Sequence, residues 1–175
     1  MVTSPASRLR WVTLVYRVPR TPSTPRIAIW RRLRALGVAQ LGDGVVALPE
    51  DARTREHLEW VAEQVLEAGG TALLFRAEAM SRDDERVMAH AMASARAEEY
   101  RDLTARANVA LAVPSSDQAR VLKRLRRDLR TVQRRDYFPP PERDQAVAAI
   151  NALASALLAA DAGAGADRSL AEEFS

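Results

Sequence analysis

An α+β fold is predicted by three observations: four short apolar runs, two amphipathic helical stretches between them, and a Gly-Asp-Gly turn joining the middle two runs. Trp11 to Val18 is apolar or β-branched at most positions and reads as a buried strand. Pro19 to Pro25 holds three prolines in seven residues, which excludes helix and central strand alike. A helix follows, with Thr24 as N-cap, Pro25 at its first position and Gly37 closing it; Ile29, Trp30, Leu33 and Leu36 form its apolar stripe. Val38 to Leu41 and Val45 to Leu48 flank Gly42-Asp43-Gly44 as a hairpin ended by Pro49. Asp51 to Ala68 reads as a second helix turning Leu58, Val61, Ala62 and Val65 inward, and Gly69-Gly70 stops it before the strand Thr71 to Phe75. Strand, helix, strand, strand, helix, strand is the split βαβ order of a ferredoxin-like βαββαβ sandwich with a four-stranded antiparallel sheet.

The remainder reads as a helical extension. Ser81 with Asp84 resembles a capping box and starts an alanine-rich helix to about Ala107. Asn108 to Pro114 interrupts the polar pattern as a packed connection, and Ser116 caps a helix running to about Arg135. In that helix Gln118, Leu122, Leu125, Leu129 and Val132 alternate spacings of four and three, which makes one seam. Pro139-Pro140-Pro141 ends it, and a last helix from Glu142 to Ala160 carries Val147, Ile150, Leu153, Leu157 and Leu158. The expected division is a ferredoxin-like domain over 10–78, a helical extension packed on it over 81–160, and a tail without fixed structure over 161–175.

At 175 residues, 47% of them hydrophobic, the chain can bury a substantial core. It has no cysteine, which excludes disulfides, thiolate metal sites and cysteine nucleophiles. The opening MVTSPASRLRWV lacks the apolar core of a secretion signal, and no apolar run reaches membrane-spanning length, so the cytoplasm is the expected location. The net charge is only +3, yet 25 of the 26 basic residues are arginine, unevenly placed. Eight arginines and no acid lie between Arg8 and Arg34, and eight basic residues against Asp128 alone lie between Arg120 and Arg135. Acids outnumber bases from Glu50 to Asp102, so two basic blocks flank an acidic middle, a distribution that suits phosphate backbones.

With these elements placed, the chain resembles the N-terminal domain of the ChrB chromate-resistance proteins. The similar segments are WVTLVYRVPRTPSTPR, IWRRLRALGVAQLGDGVVALP, TREHLEWVAEQVLEAGGTALLFRAE, EEYRDL and RRDYFPPP, which cover most of residues 10 to 141. The resemblance implies a chromate-responsive regulator of a chromate-efflux operon. Such proteins commonly carry a second domain for which this chain has no room, so a stand-alone or truncated regulator half is expected. The fold is also similar to the central domain of PaaX-type repressors and to the small CRISPR adaptation nucleases. The nucleases bind metal through an Asp at the end of the first strand, where Val15-Tyr16-Arg17 stands here, and the ten residues before Trp11 cannot supply the winged helix of the repressors.

The candidate DNA contacts are Arg120, Lys123, Arg124, Arg127, Arg130, Arg134 and Arg135, joined by Arg31, Arg32 and Arg34. Arg17, Arg20 and Arg26 beside the proline-rich loop are candidates for a tetrahedral oxyanion such as chromate, because the guanidinium fork matches paired oxygens. His57 and His90 lack a second His at i+4, and the adjacent Glu98 and Glu99 diverge by about 100° on a helix, so neither metal site nor acid/base pair is expected. Tyr100 is expected to pack with its hydroxyl hydrogen-bonded. Asp83-Asp84-Glu85 suits a helix N-terminus, Ser115 and Ser116 read as caps, and Tyr137-Phe138 as an anchor. No catalytic residue and no cofactor are expected. The partners expected are DNA, chromate or another oxyanion, and a second copy of the chain; the competing reading is a homodimeric interaction module built on the seam or on an open sheet edge.

Overall fold

The computed structural model describes residues 8–112 and 117–173, with residue 161 and residues 163–173 through the backbone alone. The elements are β1 (Arg10–Arg17), α1 (Ser23–Leu36), β2 (Ala39–Gly42), β3 (Val45–Pro49), α2 (Ala52–Glu67), β4 (Thr71–Glu78), α3 (Arg82–Ala112), α4 (Gln118–Gln133) and α5 (Glu142–Glu173). The chain forms two compact units that divide within α3, between Ala93 and Ser94. No described helix is long and apolar enough to cross a membrane.

The first unit is a four-stranded antiparallel sheet in the order β2-β3-β1-β4, with α2 packed on β1 and β4 and α1 packed beside α2. Its register puts Val46 opposite Leu14 and Leu48 opposite Val12, so one sheet face presents a row of apolar side chains, all 3% exposed or less. Leu58, Val61 and Val65 of α2 and Ile29 and Leu33 of α1 close over that face. Burying each such side chain contributes about 1.5–3 kcal/mol. The start of α2 is fixed by a capping box: Asp51 Oδ1 accepts from the Thr54 amide at 2.7 Å, and Thr54 Oγ1 accepts from the Asp51 amide at 2.9 Å. The Thr54 hydroxyl also donates to the Pro49 carbonyl at 2.7 Å, which is why this polar side chain is fully buried.

Several expectations shift. Helix α1 begins at Ser23 rather than after Thr24, which puts Pro25 at the third position, still within the first turn, where its missing N–H costs nothing. Trp30 is 51% exposed and leaves the predicted stripe; the Arg34 guanidinium lies 4.8 Å from its ring centre. Strand β2 is displaced by one residue to Ala39–Gly42, leaving Asp43-Gly44 as a two-residue turn, with a register shift between Gln40 and Gly42. Gly44 has φ 74°, and a Cβ there would stand 2.3 Å from the Tyr16 carbonyl oxygen. The Tyr16 amide donates to the Gly44 carbonyl at 2.7 Å, so the turn docks directly on the end of β1. Gly44→Ala is accordingly expected to lower stability by about 2 kcal/mol in urea titrations, through both backbone strain and the close approach.

The second unit is built on one apolar cluster: Tyr100, Leu103 and Ala107 of α3, Leu122, Leu125 and Val132 of α4, and Ala146, Ile150 and Leu153 of α5. Ser81 Oγ accepts from the Asp84 amide at 3.0 Å, the cap expected of it. Residues 108–112 continue α3 instead of breaking it; 113–116, including the caps expected at Ser115 and Ser116, lie outside the described residues. The seam of α4 is buried inside this cluster, with Leu129 packed against it, so the version of a homodimer built on that seam is set aside. Leu158 is 71% exposed, not inward, because Ile150, Leu153 and Leu157 already carry the contact of α5. The backbone of α5 continues past Ala160 to Glu173.

Candidate functional site

The basic residues of the second unit separate into two groups. Arg120, Lys123, Arg124, Arg127 and Arg130 line one shallow depression on the exposed side of α4, opposite the buried seam. The division follows from sequence: apolar residues at three and four spacing take one side of the helix, so the cations interleaved with them take the other. Lys123, Arg124 and Arg130 form no ion pair among the described residues. Arg120 meets Asp117 at 3.2 Å as an exposed surface contact worth little, and the exposed Arg127 meets the part-buried Asp128 at 3.5 Å. Burial works against the charge on Asp128, but its hydrogen bond from Arg106 at 2.9 Å and the nearby charges of Arg106, Arg127 and Arg124 hold its carboxyl below the ordinary range.

Arg135 belongs to the other group. Its Nη2 lies 2.5 Å from Glu99, whose other oxygen takes Arg96 at 2.8 Å, so this arginine ties the end of α4 to the middle of α3 and is removed from the open face. Arg134 is exposed and donates to Thr131 at 3.3 Å. Beside Glu99, Tyr100 is fully buried and its hydroxyl donates to Asp136 Oδ2 at 2.7 Å. Burial first, then this hydrogen bond and the Asp136 charge, push the phenol well above its ordinary value of 10.0. Sequence reading placed Tyr100 correctly but missed its partner Asp136 and the pairing of Glu99 with Arg135, because each contact spans 36 residues and leaves no periodic trace; the i,i+3 spacing of Arg96 and Glu99 was the available signal for that pair. It also passed over Arg126, which with Lys123 and Arg130 rims a groove floored by Leu122, Ala154 and Leu157; its place in the run Arg124 to Arg127 was the available signal.

In the first unit the three arginines of α1 do not form one face. Arg31 is exposed. Arg32 lies 3.8 Å from the centre of the Trp60 ring, in a depression whose other walls include Glu56, Glu59 and Glu63. That surrounding charge is negative and opposes a phosphate. Arg34 leans on Trp30. By contrast Arg17, Arg20 and Arg26 do come together: with Tyr16, Pro19, Trp30, Asp43 and Gly44 they line one open depression beside the proline-rich connection. None of the three forms an ion pair among the described residues. Burial and the Asp43 charge raise the Tyr16 phenol above its ordinary value, so it stays a neutral hydrogen-bond donor there. Three guanidinium groups and one hydroxyl around an open depression can hold an oxyanion with several oxygens. No group of three or more His, Asp or Glu side chains with metal-holding geometry occurs among the described residues.

Comparison with known proteins gives one consistent result. A family model described as protein ChrB, N-terminal, matches residues 26–112. The curated protein ChrB of Cupriavidus metallidurans is 29% identical over 133 residues, which is 74% of this chain and 40% of that protein. The chain thus spans less than half the length of that relative. No solved structure matches.

Proposed function

Because the chain belongs to the ChrB family through its N-terminal domain, we propose that it acts as a non-enzymatic, DNA-binding regulator module of the chromate-resistance type. The observation that carries this reading is the exposed side of α4, where Arg120, Lys123, Arg124, Arg127 and Arg130 share one depression and three of the five form no ion pair among the described residues. From Arg120 to Arg130 the helix advances about 15 Å, over which one strand of B-DNA presents about four phosphates. Contacts of this kind set affinity and orientation rather than base sequence. The cluster of Arg17, Arg20 and Arg26 is where an oxyanion such as chromate would bind and act as the signal. A ferredoxin-like assignment of the first unit is supported by its strand order, in which β3 lies between β1 and β2 and is antiparallel to both.

The test is a fluorescence-anisotropy titration of duplex DNA from the protein's own upstream region, beside a scrambled duplex, at two salt concentrations. Arg124→Ala combined with Arg127→Ala is expected to weaken binding to both duplexes and to reduce the logarithmic salt slope by about 2. Unchanged affinity in that variant would remove α4 from the interface. Arg20→Ala with Arg26→Ala should leave binding intact while abolishing any release of the DNA by chromate.

A further inference from the structure

The two edges of the sheet are unlike. Strand β2 is only four residues long and irregular between Gln40 and Gly42, a form that resists pairing with another strand. Strand β4 is eight residues long, pairs regularly with β1 from Thr71 to Glu78, and has neither proline nor bulge. Among the described residues it has no partner on its other side. The backbone phase of that free edge follows from β1. The Tyr16 amide donates to Gly44, and the Arg10 carbonyl accepts from Glu50 at 2.8 Å, so the even-numbered residues of β1 face β3. The odd-numbered ones therefore face β4 and bond Leu73 and Phe75, their register partners. Ala72, Leu74 and Arg76 are left with their N–H and C=O directed outward. The side chains of Leu73 and Phe75, on the sheet face away from α1 and α2, are 62% and 49% exposed.

We infer that this edge is the interface with a second copy of the chain, β4 pairing with β4 antiparallel about a two-fold axis at Leu74. An antiparallel strand pair is self-complementary under a two-fold, and the even-to-even phase allows Leu74 to oppose Leu74 and Ala72 to oppose Arg76 as hydrogen-bonded pairs. The same register sets Leu73 opposite Phe75 of the second copy, where side chains approach most closely. The uncharged residues TALLF meet in the middle, and the two Arg76 residues stay about 14 Å apart along the strands. Charge on the helix layer agrees. Trp60 faces α1 through Arg32, and about 100–140° around α2 from it lie Arg55, Glu59 and the 55%-exposed Leu66. With α2 over β1 and β4, the strand spacing puts the two copies of α2 about 10 Å apart, within helix-packing distance. A two-fold then brings Arg55 of each copy to Glu59 of the other, so the ion pair each now makes internally, at 3.6 Å, can be exchanged between copies.

The test is sedimentation velocity of the full chain over a range of concentrations. The wild type is expected to show a monomer–dimer equilibrium, and Leu73→Lys and Phe75→Glu each to weaken it about tenfold or more. Because Leu73 opposes Phe75, mixing the two variants restores one apolar pair and creates one opposite-charge pair, so the mixture should associate more tightly than either variant alone. A monomeric wild type at about 100 μM, variants that dimerise like the wild type, or a mixture that gains nothing would each overturn the assignment. Independently of any variant, amide exchange at Leu74 and Arg76 in the wild type should slow as concentration rises; exchange that ignores concentration would overturn it as well.

Discussion

Leu125→Asp is expected to unfold the helical unit. Leu125 is fully buried among α3, α4 and α5, so the substitution removes a core side chain and introduces a carboxylate into an apolar cluster. The lost packing alone costs about 2–5 kcal/mol, and desolvating the carboxyl adds to that. The sum, on the order of 5 kcal/mol or more, matches the entire stability of many small domains. Far-UV circular dichroism should show a large loss of helix at 25 °C. Had the seam been a surface between two copies, the same variant would instead give a folded monomer. A helical, monomeric Leu125→Asp protein would therefore contradict the packing described above.

Tyr100→Phe should have the next largest effect and a distinctive pH dependence. The hydroxyl is the donor to Asp136 Oδ2, and removing it leaves that oxygen unpaired at a part-buried position. A hydrogen bond to a charged group of this kind contributes about 1.5–3 kcal/mol, so a loss near 3 kcal/mol is expected at pH 7 in denaturant titrations. The sign with pH follows from the raised phenol. In the unfolded chain the group ionises around its ordinary value of 10.0, whereas in the folded chain it ionises higher. Its stabilising contribution is present in full below pH 10 and is lost as pH rises beyond it. The wild type should therefore lose stability above pH 10 more steeply than Tyr100→Phe, and parallel curves for the two would sink the account.

Much of the sheet unit was legible because its signals are local. The turn at Gly42-Asp43-Gly44 and the spacing of Leu58, Val61 and Val65 each depend on a few adjacent residues, and each has its expected effect, while Asp51, read as the first helical residue, is instead the N-cap of α2. Other features escaped because hydrophobicity does not give direction. Trp30 and Leu158 fit an apolar stripe as well as their buried neighbours do, and only the packed helix shows that the stripe is already full. Residues 108–112 looked like a break because the polar pattern stops there, whereas a helix with less need of a solvated face simply continues. Among the arginines, sequence could rank neither Arg135 below Arg124 nor Arg32 below Arg31. What separates them is a carboxylate or an indole contributed by another helix.

The end of β1 is held between two positions that have no side chain. A Cβ at Gly44 would meet the Tyr16 carbonyl at 2.3 Å, and a Cβ at Gly70 would meet the Arg17 carbonyl at the same distance. These two carbonyls are the last fixed points before the chain turns into the segment bearing Arg20 and Arg26. The aim of the guanidinium cluster is thus dictated by a hairpin and by the stop of α2, neither of which supplies an arginine. Variation at those two glycines is a route by which the spacing of the guanidinium groups could drift while every arginine of the cluster was retained.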